Sequence, residues 1–121
     1  MSKDKKILIV DDNPNMSNLL SDILEIFECQ SVCAPDGEEA LKCLKSQKFD
    51  MVITDLRMPK MHGIDLLKTV KENYPGLPVV VITGFSGDTT KDEAIDAQAD
   101  GFLVKPFRVN DIQKLLERLL G

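Results

Sequence analysis

Four short runs of nearly unbroken apolar residues constrain this chain more than anything else in it: Ile7-Leu8-Ile9-Val10, Met51-Val52-Ile53-Thr54, Val79-Val80-Val81-Ile82 and Phe102-Leu103-Val104. Runs this short, without polar alternation, suit strands covered on both faces, which is the environment of a parallel sheet. Each run also stops at a residue with chemistry. The first ends at Asp11-Asp12, the second at Asp55, the third at Thr83 and the fourth at Lys105-Pro106. If the runs are neighbouring parallel strands, three acids, a hydroxyl and an ammonium meet on one rim of the sheet.

Amphipathic segments separate the strands. Met16, Leu19, Leu20, Ile23 and Phe27 recur at helical spacing behind Asn13, a capping residue, and Pro14, which suits the first helical position. Asp36 and Glu39 make a capping box ahead of Ala40, Leu41 and Leu44. Ile64, Leu67, Val70 and Tyr74 mark a third helix closed by Pro75-Gly76. Residues 88–97 form a weaker fourth, with Ala94, Ile95 and Ala97 as its only apolar content, and Ile112, Leu115, Leu116 and Leu119 carry a fifth. The alternation predicts a single doubly wound α/β domain, (βα)5 and flavodoxin-like, filling residues 1–121, with five parallel strands in the order 2-1-3-4-5. That order makes the first and third strands neighbours. It sets Asp11, Asp12 and Asp55 together where the strand order reverses, the place such sheets bind ligands.

The charge balance narrows the chemistry. Fifteen basic residues against twenty acidic ones leave a net charge of −5, which disfavours a nucleic-acid surface. There is no run of eighteen apolar residues and no secretory leader pattern, so a cytoplasmic protein without membrane contact is expected. Cys29, Cys33 and Cys43 read as reduced thiols serving as small buried filler rather than as a metal or redox motif. Two carboxylates about 4 Å apart repel by roughly 4 kcal/mol at an effective dielectric near 20. Three together call for a cation, and hard oxygen donors in small number suit Mg²⁺, which keeps several waters and often bridges to a phosphoryl oxygen.

The segments Ile7–Asp12 (ILIVDD), Thr54–Gly63 (TDLRMPKMHG), Val81–Gly84 (VITG) and Val104–Phe107 (VKPF) resemble, in order and spacing, a response-regulator receiver domain, the phosphoacceptor half of two-component signalling. The likeness covers essentially the whole chain. It implies that Asp55 takes a phosphoryl group from a phosphohistidine on a histidine kinase or phosphotransfer protein. It further implies that Asp11, Asp12, Asp55 and the backbone carbonyl of Arg57 hold Mg²⁺ or Mn²⁺, Asp11 largely through water. Lys105 and Thr83 would bind phosphoryl oxygens, Lys105-Pro106 would be a cis bond, and Thr83 and Phe102 would act as switch residues. The fourth helical segment, the fifth strand and the fifth helical segment would form a signalling face toward an effector, a covalently linked output domain or, after phosphorylation, a second copy.

The chain departs from the family pattern in a few places. Gln98 stands where many receivers place a glycine. Arg108 replaces a short polar cap, which makes Asn110 the expected cap of the last helix. Arg57 and Phe85 flank the expected path of an attacking water and are read as a pair that tunes phosphoryl lifetime. His62 reads as an exposed loop residue. Two other functions fit the residues less well. A phosphohydrolase built on Asp55 would want a second acid where Arg57 stands, and a constitutive binding domain would not need the intact set of Asp12, Asp55, Thr83 and Lys105.

Overall fold

The structure, a computed structural model, describes residues 5–55, 63–83 and 98–120. Lys6–Val10 (β1), Gln30–Ala34 (β2), Met51–Asp55 (β3), Val79–Thr83 (β4) and Gly101–Val104 (β5) form one parallel sheet in the expected order β2-β1-β3-β4-β5. Its described helices are Pro14–Ile26 (α1), Gly37–Ser46 (α2), Gly63–Asn73 (α3) and the C-terminal helix Val109–Leu120. The helix expected over residues 88–97 lies outside the described residues, as do Arg57, His62 and Phe85.

Alternation along the strands sends successive side chains to opposite faces. Ile7, Ile9, Ile53, Val80, Ile82 and Leu103 pack against Leu20 and Leu24 of α1 and Ile112 and Leu116 of the C-terminal helix. Leu8, Val10, Val52, Val79 and Val81 pack on the other face against Leu44 of α2 and Leu66, Leu67 and Val70 of α3. Each such aliphatic side chain contributes roughly 1.5–3 kcal/mol by leaving water. The sheet is therefore the core itself, and its strand ends are held in rigid register. Val10 pairs with Thr54 across β1 and β3, and Thr83 with Val104 across β4 and β5.

Helix starts follow local chemistry. Asn13 Oδ1 accepts the Asn15 N–H at 2.9 Å with Pro14 in the first turn, and Asp36 Oδ1 accepts the Glu39 N–H at 2.9 Å. The last helix corrects the expectation of an Asn110 cap. Here the Asp111 carboxylate accepts the Arg108 N–H at 2.8 Å, while the Arg108 carbonyl accepts the Asp111 N–H at 3.0 Å. The cap is thus made through the Arg108 backbone by an acid three residues on, and Asn110 falls inside the first turn. Gln98 has φ 70° and Glu28 φ 63°, so both hold left-handed conformations that glycine adopts more cheaply.

A second correction concerns the thiols. Cys29 is buried as expected, but Cys43 is half-buried and Cys33 exposed, because Cys33 lies on an edge strand where β2 is covered incompletely. At the opposite end of the sheet from Asp55, the Asp100 carboxylate accepts the Val79 N–H at 2.7 Å and pairs with Lys71 of α3. The Asp100 carbonyl accepts from Arg118 of the C-terminal helix at 3.0 Å. Helix α3, β4, β5 and the last helix are tied together there.

Candidate functional site

The carboxyl ends of β1 and β3 form the point where strand order reverses, and the acids gather there. Asp11 follows β1 directly, its N–H extending the ladder to the Ala34 carbonyl at 3.1 Å. It is only 3% exposed. One carboxylate oxygen, Oδ1, accepts the Asn13 N–H at 2.9 Å, whereas Oδ2 is buried with no hydrogen-bond partner among the described residues. Burial raises the Asp11 pKa above the ordinary value, and the charges of Asp55 and Asp12 push the same way. The Asn13 N–H and the Lys105 ammonium oppose them. Asp12 is exposed at the mouth.

Asp55 closes β3, with its side chain 14% exposed and Oδ2 3.5 Å from Lys105 Nζ. Lys105 arrives from the end of β5, where its N–H donates to the Thr83 carbonyl at 3.0 Å and the bond to Pro106 is cis. Because the lysine side chain is 40% exposed, the pair contributes about 1 kcal/mol or less. So weak a pair leaves the ammonium able to take a different anion. Thr83 is buried at the end of β4. The structure thus brings Asp11, Asp12, Asp55, Thr83 and Lys105 to one rim, while Arg57 and Phe85 lie outside the described residues.

An unsatisfied buried carboxylate oxygen costs on the order of 1–3 kcal/mol or more, so Asp11 Oδ2 fits a cation or a metal-bound water rather than an empty site. Among the described residues no three Asp, Glu, His or Cys side chains stand close enough to hold a metal ion by themselves. A cation at Asp11 would therefore need water or further donors beside the carboxylates, which a hard ion such as Mg²⁺ accepts.

Phe102 is separate from this rim. It is half-buried on β5, packs toward the face carrying α2 and α3, and lines a groove of about 350 Å³ with Val104, Asp111, Lys114, Leu115 and Arg118. Sequence reasoning missed a smaller cavity of about 230 Å³ beside Asp11 and Asp12, lined by Ser17, Asn18 and Cys33 among others. Ser17 carried the available signal, a polar residue on the inward stripe of α1, one turn beyond the Asn13 cap.

The sequence profile described as the response regulator receiver domain matches residues 7–117. The chain is 38% identical to the chemotaxis protein CheY-3 of Vibrio cholerae, over 98% of this chain and 94% of that protein. It is 35% identical to the transcriptional regulatory protein ZraR of Escherichia coli, over 95% of this chain but only 26% of the relative's length. Among solved structures, Vibrio cholerae CheY4 superposes with a TM-score of 0.88 at 32% identity, covering 97% of this chain and 99% of that one. NtrX of Brucella abortus gives 0.91 at 30% identity, covering 99% of this chain and 27% of that one. With the sheet order, the acidic rim and these likenesses in agreement, the chain belongs to the response-regulator receiver domain family.

Proposed function

We propose that this receiver takes a phosphoryl group onto Asp55 from a phosphohistidine of a kinase or phosphotransfer protein and thereby changes how it meets an effector. The observation that carries the reading is the convergence on Asp55 of Lys105, 3.5 Å away, beside the buried Oδ2 of Asp11, which has no hydrogen-bond partner among the described residues. An Asp55 carboxylate oxygen forms the new O–P bond as the P–N bond to the donor histidine breaks. The imidazole leaves with the bonding pair and takes its proton from solvent. Such transfers depend on positioning and on neutralising charge more than on acid or base chemistry. Lys105 exchanges its weak pairing with Asp55 for a phosphoryl oxygen, and Thr83 approaches another from the end of β4.

Asp11, Asp12 and Asp55, with the backbone carbonyl of Arg57, would hold Mg²⁺ or Mn²⁺, Asp11 largely through water. Bound there, the ion neutralises both the clustered carboxylates and the phosphoryl oxygens. Arg57 and Phe85 remain the proposed tuners of phosphoryl lifetime. Catalysis is limited to this self-phosphorylation and its slow reversal by water.

The output face includes β5 and the C-terminal helix, where Phe102 borders a groove flanked by Lys114 and Arg118. Its partner is an effector protein, a linked output domain as the coverage of ZraR and NtrX suggests, or a second copy. No described helix is long and apolar enough to cross a membrane. The acidic net charge disfavours direct nucleic-acid binding by this domain, and a cytoplasmic location is part of the proposal. Intact mass after treatment with acetyl phosphate and Mg²⁺ tests the reading. Wild type gains one phosphoryl group and Asp55→Ala gains none; modification of both, or of neither, rejects it.

A further inference from the structure

On the face of β1, β3 and β4 toward α2 and α3, Lys6 and Thr83 stand at strand ends, and Thr54 is the polar residue set between apolar neighbours. Leu8, Val10, Val52, Val79 and Val81 line that face, and Thr54 stands among them, fully buried, in register with Val10 and Val81. Valine has almost the same shape as threonine, so packing alone gives no reason for the hydroxyl. Burying one is costly unless it is hydrogen-bonded, and a valine there avoids that cost altogether. The hydroxyl does have a partner. Thr54 Oγ1 donates to the backbone carbonyl of Asp55 at 3.0 Å.

That carbonyl is the last of β3, where the chain leaves the sheet immediately after the phosphoacceptor. A peptide unit is planar, so holding its oxygen fixes the ψ angle of Asp55. The side chain of Asp55 then has one less backbone freedom with which to drift from Lys105 Nζ and Asp11. The same hydrogen bond keeps the Asp55 carbonyl turned toward the Thr54 hydroxyl instead of leaving it free to reorient.

We propose that Thr54 is a positioning residue for the phosphoryl transfer, acting through the Asp55 peptide and touching neither phosphoryl group nor metal. The inference rests on Asp55 being the acceptor, and it assigns the orientation of that acceptor to a hydroxyl on the opposite side of the strand.

The test compares wild type, Thr54→Val, Thr54→Ser and Asp55→Asn, each with saturating Mg²⁺ and acetyl phosphate, reading the phosphorylation rate by intact mass and the stability by urea. Thr54→Val is expected to phosphorylate more slowly by on the order of tenfold, because small misplacements at a reacting centre are expensive. Its urea midpoint should equal or exceed that of wild type. Thr54→Ser, which keeps the donor, should recover the rate to within about twofold, since it restores the same hydrogen bond. A structural hydroxyl gives the reverse pattern, with a lower midpoint and an unchanged rate. The proposal is overturned if Thr54→Val phosphorylates at the wild-type rate, if Thr54→Ser is as slow as Thr54→Val, or if Thr54→Val unfolds while Thr54→Ser does not. Failure of wild type itself to gain a phosphoryl group overturns the reading of Asp55 instead, so the two failures are told apart.

Discussion

Asp11 occupies a position that the metal-free fold tolerates poorly. Desolvation raises its pKa, so the folded chain holds a proton there that the unfolded chain releases near the ordinary value of 3.8. Below that value both states are protonated and the group costs the fold nothing. As pH rises through the higher folded value, the charge must form inside a buried site and stability falls. In the absence of divalent cation, Asp11→Asn should therefore stabilise the protein at pH 7 by on the order of 1 kcal/mol. The gain should fade as pH falls toward 4, and Mg²⁺ should bind the variant more weakly. Urea midpoints across pH, with and without Mg²⁺, check the sign; a variant less stable than wild type at pH 7 without metal contradicts it. Gln98 and Glu28 offer a simpler case at the same scale. Both hold positive φ, so Gln98→Gly and Glu28→Gly should each be neutral or stabilising by up to about 1 kcal/mol, whereas glycine elsewhere in an element costs a similar amount.

Between elements, the half-buried Asp100 joins α3, β4 and the last helix at the end of the sheet away from Asp55. It satisfies the Val79 N–H and pairs with Lys71, whose side chain is 18% exposed. Asp100→Ala strands the Val79 N–H and leaves Lys71 only the Leu77 carbonyl at 3.5 Å, and should cost about 2–3 kcal/mol in urea unfolding. Lys71→Met should cost less, because the Val79 N–H keeps its acceptor. Beside Asp100, a Cβ on Gly101 would lie 2.7 Å from Leu115 Cδ2 and 2.8 Å from Arg118 Nη2. Leu115 is buried, so Gly101→Ala must displace its side chain along with the Arg118 guanidinium, at about 1–3 kcal/mol. The same elements show what was legible beforehand. The Asp36 and Asn13 caps and all the strands named from apolar runs were readable, because their signals are local: a side-chain acceptor next to the amides it caps, or an apolar run of strand length. The acid cluster was readable because strand order converts sequence position into rim position. The Lys71–Asp100 tie was not, since twenty-nine residues separate the partners and each alone resembles a surface charge. Cys33 was misjudged for a related reason: whether a short strand is central or at an edge is settled by its neighbours. Arg108 misled because a backbone carbonyl and a later acid can cap a helix without help from the side chain at the cap.

For the whole molecule, both layers of described helices rest on one sheet, so the packing couples one face to the other. Ile53 and Val52 are successive residues of β3, yet they belong to opposite clusters. Unfolding should accordingly be a single cooperative transition. The acidic rim caps β1 and β3, two strands buried along their length, and a cation settling there binds the folded state alone. At a free Mg²⁺ concentration a hundred times its Kd, the linkage adds about 2.7 kcal/mol to stability. Because the strands under the rim are core strands, that increment should be global. Amide exchange of Leu8 and Ile9 on β1, Val52 and Ile53 on β3, and Leu66 and Leu116 on opposite helical layers should slow by a common factor, about a hundredfold for that increment. Asp11→Asn, with its donor removed, should flatten the response across all six positions together. Slowing confined to Asp11, Asp12 and Asp55, with the helical layers unchanged, would mean that the rim opens on its own and that ion binding never reaches the sheet. A site able to loosen in that way could not pass the state of Asp55 through β4 and β5 to the groove beside Phe102.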